Sequence, residues 1–241
     1  MINLQRAHKT MKIAIISGGS IQETFASGFL SEFRADLLIA ADSGMDFCLQ
    51  NGSLPDVIVG DFDSLKHKDI IKDLKEIQTD SEEYMITVSG KKIRVIRHRP
   101  EKDATDTELA VKEAEALGAD EICLLGATGT RLDHVWGNIS LLFRMRSKGI
   151  RGCLVDANNC ISMPAGHVIR IGRAEQFGKY VSILPYGGPV KGLTLTGFHY
   201  PLENYTLEPG MESLCVSNEI EEEYAEIRYI SGSPVIIESR D

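Results

Sequence analysis

The chain has 241 residues, 43% of them hydrophobic and 25% charged, with a formal net charge of −9. That length admits one large domain or two modest ones. The acidity argues against a broad nucleic-acid surface, which needs basic side chains, and no apolar run approaches the length of a membrane span. A nucleotide substrate stays open, because a metal ion bridges protein carboxylates to phosphates. The five cysteines, Cys48, Cys123, Cys153, Cys160 and Cys215, are scattered and form no C-x-x-C. They read as small core residues in a reducing cytoplasm. Arg6, His8 and Lys9 precede no apolar h-region, so no signal peptide is expected, and the residues before Met11 receive no role in the fold.

Lys12 to Ser17 is a short apolar strand running into Gly18-Gly19. The turn is neither G-x-G-x-x-G nor a Walker loop, and is a weak phosphate signal by itself. Ile21 to Phe33 reads as a helix. Asp36 to Ala41 is a second strand, ending in Asp42-Ser43-Gly44, and Met45 to Gln50 is a helix stopped by Asn51-Gly52. Val57 to Val59 is a third, β-branched strand, and Gly60-Asp61-Phe62-Asp63-Ser64 follows at once. Strand and helix in alternation imply a parallel sheet, with acids gathered at the carboxyl ends of its strands. Two carboxylates at i and i+2 repel unless a cation lies between them, and Mg²⁺ is the usual cation of carboxylate–phosphate sites. A turn and a helix cap would also account for Asp61 and Ser64.

Lys66 to Glu76 reads as a charged helix with Ile70, Ile71 and Leu74 on one face. Tyr84 to Val88 and Ile93 to Ile96 form a hairpin around a glycine turn. Thr105 to Glu108 fits a capping box that opens a helix to Leu117, closed by Gly118. That box does not require Asp103 or Asp106, which again stand beyond a strand. Glu121 to Leu125 is a strand that enters Gly126-Ala127-Thr128-Gly129-Thr130-Arg131-Leu132-Asp133-His134. Glycines there permit close backbone approach, the following helix start favours anions, and Arg131 suits bidentate contact with phosphate. Asp133 and His134 can position a ligand or metal-bound water, although a helix start also accommodates a plain histidine. Val135 to Arg146 completes that helix.

After Gly149 helical patterns stop. Short β-like runs follow at Cys153–Val155, His167–Ile171, Tyr180–Leu184, Leu193–Thr196, Glu212–Val216, Glu223–Tyr229 and Pro234–Glu238. The expected architecture is an α/β N-terminal domain with a mainly parallel, Rossmann-like sheet over residues 1–150. An all-β sandwich over 151–241 completes it.

These motifs, in this order, resemble the thiamine pyrophosphokinase family. Besides the acidic and glycine motifs, the resemblance takes in Ser182-Ile183-Leu184-Pro185, Gly188-Pro189-Val190, Thr196-Gly197-Phe198-His199-Tyr200-Pro201-Leu202 and Ser217-Asn218. It implies a homodimer whose active site lies between the α/β domain of one subunit and the β domain of its mate. It also implies Mg²⁺-dependent transfer of pyrophosphate from ATP to thiamine, giving thiamine diphosphate and AMP. Carried over by motif, Asp61, Asp63 and Asp106 would hold Mg²⁺. Asp42, Asp103, Thr105, Arg131 and Asp133 would line the nucleotide and reacting centre, with Ser43, Gly44, Gly126, Thr128 and His134 beside them. Tyr200, Ser217 and Asn218 would meet thiamine from the partner subunit. Three departures stand out: Tyr200 where the family pattern has tryptophan, Ser43 at an expected glycine, and a hairpin insertion at 82–92. A pyrophosphokinase for another alcohol, such as a pterin, and a non-catalytic nucleotide sensor are the alternatives. A sensor predicts lost metal ligands.

Overall fold

The computed structural model describes residues 9–71, 79–101 and 103–241. Continuous apolar runs, buried on both faces, build the first strands: β1 (Lys12–Ile16), β2 (Leu37–Ala41) and β3 (Val57–Gly60), interleaved with α1 (Glu23–Phe33) and α2 (Gly44–Gln50). Of the expected charged helix at 66–76, residues Lys68–Ile71 form a single 3₁₀ turn, and 72–76 lie outside the described residues. The hairpin is longer than its apolar runs: β4 (Ser81–Val88) pairs with β5 (Lys91–His98) through all eight positions. Ser89 and Gly90 both take positive φ, at 49° and 84°, as a two-residue turn between twisted strands requires. Then follow α3 (Asp106–Ala116), β6 (Glu121–Leu125) and α4 (Leu132–Ser147).

The remaining strands are β7 (Arg151–Val155), β8 (Asn159–Ser162), β9 (Val168–Gly172), β10 (Tyr180–Pro185), β11 (Val190–Thr196), β12 (Leu202–Leu207), β13 (Asn218–Glu219), β14 (Tyr224–Arg228) and β15 (Pro234–Ser239). Glu212–Cys215 is a 3₁₀ turn and not the expected strand: Leu214 and Val216 are exposed, so only Cys215 has a core to enter. An 11-stranded sheet runs β13-β10-β15-β8-β7-β6-β1-β2-β3-β5-β4, and a four-stranded antiparallel sheet runs β12-β11-β14-β9. The six central strands β7-β6-β1-β2-β3-β5 are parallel. The large sheet is unbroken at residue 150, since β7 pairs in parallel with β6.

Residues of β1 alternate between two cores, as strand geometry dictates. Ile13 and Ile15 join Ala110, Val111 and Leu142 of α3 and α4. Ile16 faces Ala26 of α1 and Met45 and Phe47 of α2. A third core lies between Val181, Ile183 and Ile236 of the large sheet and Leu193, Leu195, Ala225 and Ile227 of the small one, which makes the sandwich. All five cysteines are unpaired thiols, and burial pushes Cys48 up to about 12. No described helix is long and apolar enough to cross a membrane.

Candidate active site

Strand order reverses between β1 and β6: β2, β3 and β5 lie to one side of β1, and β6 and β7 to the other. Open α/β sheets bind ligands in the crevice beyond the strand ends at such a point. A cleft of about 300 Å³ opens there, lined from β1 by Ser17, Gly18 and Gly19, and from β6 by Gly126, Ala127, Gly129, Thr130 and Arg131. The two glycine loops touch each other. A Cβ on Gly19 would stand 2.3 Å from the Gly126 carbonyl, and one on Gly126, at φ 67°, would stand 2.4 Å from the Ser17 carbonyl. These glycines are needed first for backbone-to-backbone approach. Asn138, buried nearly two turns into α4, donates to the Ala127 carbonyl at 2.8 Å and fixes the far wall.

The third wall is acidic. Asp42 ends β2 at φ 45°, a left-handed conformation that aspartate tolerates. Its backbone N–H donates to Val59 at 2.8 Å, tying it to β3. The side chain is 8% exposed, and its Oδ1 has no hydrogen-bond partner among the described residues. Burial pushes the Asp42 carboxyl above the usual carboxylate range, and the charges of Asp106 and Asp61 push the same way. The Ser43 amide and Ser64 hydroxyl partly oppose them. Asp106 enters from the first turn of α3, and its Oδ1 would lie 3.2 Å from a Cβ on Gly60, as would the Asp42 Cα. The gap left by that glycine is what lets the two acids approach over β3.

Asp61 belongs to the same charged group, whereas Asp63 is exposed and its backbone N–H donates to the Asp61 carboxylate at 3.1 Å. Phe62 between them takes φ 66°, a left-handed conformation rare for a bulky residue, and its ring is 2% exposed in the α1–α2 core. Burying that ring turns the flanking acids outward. Among the described residues, no three His, Cys, Asp or Glu side chains are drawn to metal-ligand distance. The donor set still fits Mg²⁺, which takes one or two carboxylates and completes its shell with phosphate and water oxygens. A buried carboxylate oxygen without a donor, beside two more carboxylates, is the feature a cation would satisfy.

The cleft thus gathers Asp42, Ser43, Thr105, Asp106, Gly126, Arg131 and His134 of the expected residues. Thr105 is also the α3 cap, accepting the Glu108 amide at 3.1 Å. Gly44 is buried for packing: a Cβ would stand 2.0 Å from the Ile16 carbonyl. Asp133 forms a two-point pair with Arg131, at 2.5 and 3.2 Å, and that bond holds its carboxyl below the usual range. Asp103 is exposed and Thr128 half-buried, and neither lines the cleft. Ser17, Ser64, Thr107 and Thr130 do line it, unforeseen in the sequence, and Thr107 donates its hydroxyl to Ser17 at 3.0 Å.

Tyr200, Ser217 and Asn218 form a separate group. Asn218, 3% exposed, clasps the Tyr200 backbone, accepting its N–H at 3.0 Å and donating to its carbonyl at 2.8 Å. The ring itself is 59% exposed. Ser217 takes φ 56°, and its N–H donates to Ser182 at 3.0 Å. Among the described residues, none beyond Asn138 lines the cleft.

Comparison with known proteins places this geometry. The family model for the thiamin pyrophosphokinase catalytic domain matches residues 32–154, and that for the thiamin pyrophosphokinase vitamin B1 binding domain matches 166–233. The thiamine pyrophosphokinase of Bacillus subtilis is 33% identical over 207 residues, covering 85% of this chain and 88% of that protein. The crystal structure of the Bacillus subtilis enzyme superposes with a TM-score of 0.77 at 30% identity, over 95% of this chain and 99% of that one. The thiamin pyrophosphokinase of Geobacillus thermodenitrificans gives 0.73 at 31% identity, over 96% and 98%.

Proposed function

The chain belongs to the thiamin pyrophosphokinase family, and on that premise we propose that it moves the pyrophosphoryl group of ATP to the hydroxyethyl oxygen of thiamine, releasing AMP and thiamine diphosphate. The observation that carries this assignment to the cleft is the unpartnered Oδ1 of Asp42, beside Asp61 and Asp106 and opposite a wall of glycine loops and hydroxyls.

Asp61, Asp63 and Asp106 would hold Mg²⁺ with the nucleotide, and Asp42 closes the acidic wall behind them. The metal, when bound, offsets the negative charge of the phosphates and of the transition state. The chain's own groups do the rest. Main-chain N–H groups of the loops after β1 and β6, with the hydroxyls of Ser17, Ser43, Thr107 and Thr130, would donate to phosphate oxygens. The amino ends of α3 and α4 add positive potential. Arg131 sits at the mouth of the cleft, exchanging its Asp133 partner for a phosphate. One of the carboxylates accepts the hydroxyl proton as the alcohol attacks the β-phosphorus in line.

Thiamine would be met by Tyr200, whose exposed ring suits a cationic thiazolium, with Ser217 and Asn218 behind it. The chain would divide into a nucleotide-binding part through residue 150 and a thiamine-binding part from 151. Because the Tyr200 group and the cleft are separate in one chain, a second copy would complete the site. An exposed apolar stripe supports a homodimer: Leu132, Trp136 and Phe143 of α4 are 80%, 65% and 43% exposed, and Tyr186 packs beside the last two. The five unpaired thiols fit a cytoplasmic protein.

Incubation with ATP, Mg²⁺ and thiamine tests the reaction. AMP and thiamine diphosphate in equal amounts are the expected products. ADP with a monophosphate ester would overturn pyrophosphoryl transfer.

A further inference from the structure

Asp46 lies one helical turn beyond Asp42, in the first turn of α2, and its side chain is 9% exposed. The carboxylate points away from the cleft, toward the segment that follows the Asp61–Ser64 motif. Its Oδ2 accepts the Lys66 amide at 3.1 Å, and its Oδ1 accepts the His67 amide at 3.2 Å and meets the His67 Nδ1 at 2.7 Å. The Asp46 amide in turn donates to the Ser43 carbonyl at 3.0 Å, and the Met45 amide to the Asp42 carbonyl at 3.1 Å. One side chain therefore ties the loop after β3 to the helix that starts from Asp42.

The segment between these ties is anchored from below at two points. Phe62 and Leu65, each 2% exposed, enter the same core as Met45, Phe47 and Cys48 of α2. The acids and Ser64 stay on the outer side, where Ser64 reaches the Asp42 carboxylate. Two apolar anchors fix the depth of this loop, but apolar packing is non-directional and sets its lateral position less sharply. Three hydrogen bonds to one buried carboxylate, two from backbone amides and one from the His67 ring, fix its lateral position, because hydrogen bonds are directional. A loop held laterally keeps Asp61 and Ser64 in register with Asp42.

We infer that Asp46, through its clamp on Lys66 and His67, is a positioning residue that sets the spacing between the β2 and β3 acidic loops of the nucleotide site. This rests on the reading of the cleft as the catalytic centre. It assigns no contact with substrate to either residue.

The test uses full-length Asp46→Ala, Asp46→Asn and His67→Ala, with His67→Gln as the conservative variant whose amide can still donate to Asp46. Four quantities are measured: kcat, KM for thiamine, the calorimetric affinity for a non-hydrolysable ATP analogue with Mn²⁺, and Tm. Because the His67 side chain is 42% exposed, His67→Ala should keep the fold even if Asp46→Ala does not. Displacing a site by an ångström costs on the order of a hundredfold in rate. The expected result is a kcat loss of that order for Asp46→Ala and about tenfold for His67→Ala. Weaker analogue binding, an unchanged KM for thiamine and recovery in His67→Gln should accompany it. Folded variants with wild-type kcat and analogue affinity would overturn the inference. So would losses that follow the unfolded fraction alone. A wild-type protein that binds the analogue but transfers nothing would count against the reaction, and the clamp would then be judged on analogue affinity.

Discussion

Asp42 pays for its place: a charged carboxylate with one oxygen unpartnered inside an acidic wall costs stability. Its folded pKa is raised, so this cost is felt at neutral pH and relieved as pH falls toward that pKa. Asp42→Asn removes the charge, and its amide can donate to the neighbouring acids. The variant should be more stable at pH 7 by roughly 1 kcal/mol, with the gain shrinking in acid, while pyrophosphoryl transfer is lost. Thermal unfolding across pH checks the sign; a destabilised Asp42→Asn at neutral pH would contradict it. Asp42 and Asp106 were legible in the sequence as acids standing just beyond strands, but Asp103, in the same kind of position, stays outside the cleft. Ser17, Ser64, Thr107 and Thr130 were not legible, since hydroxyls serve turns and caps everywhere. Gly44 was legible as part of a motif, but its role is the 2.0 Å approach to Ile16, which only packing reveals.

At the level of elements, the cleft depends on α3 and α4 holding their amino ends side by side. Their shared apolar face packs on β1, β2 and β6, and Glu115 clips the far ends together. It pairs with Arg144 at 2.8 Å and Lys148 at 2.7 Å, and its side chain is 7% exposed. Although burial opposes the charge, bonds to Arg144 and Lys148 bring the Glu115 pKa below its ordinary 4.5. The pair therefore stabilises above pH 4.5 and is lost as pH falls through the depressed folded value. Glu115→Gln should lose about 1–3 kcal/mol at pH 7, and the difference should close in acid. Equal stabilities at pH 7 would contradict the clip. The helices α1 to α4 and the central strands were readable from their apolar patterns, and α3 also from its cap, whereas the charged run at 66–76 gave, among its described residues, only a 3₁₀ turn at Lys68–Ile71. β12 was not readable, because Asn204 at φ 47° and register shifts against β11 break its alternation. β8 has four residues and a polar start, too short for a period to show.

Across the whole molecule, the acidic cleft and Tyr200 lie on different parts of one chain, and the stripe on α4 offers a face for a second copy. If each centre takes its acids from one subunit and Tyr200 from the other, two dead variants should repair each other. Asp106→Asn and Tyr200→Ala, unfolded and refolded together, should regain about a quarter of wild-type activity, because half the dimers are mixed and each carries one intact centre. Recovery absent from mixtures shown to contain mixed dimers would mean that each chain works alone. Trp136→Glu should shift sedimentation toward monomer. The sequence could not reveal the stripe on α4, since an exposed tryptophan looks like a core residue until its neighbours are placed.

The most direct measurement is the rate of AMP formation from ATP and thiamine for wild type and Asp106→Asn at matched folded concentration. A cleft that performs the transfer predicts a loss of about a hundredfold or more, with Tm unchanged or raised. A variant within twofold of wild type would place the chemistry elsewhere.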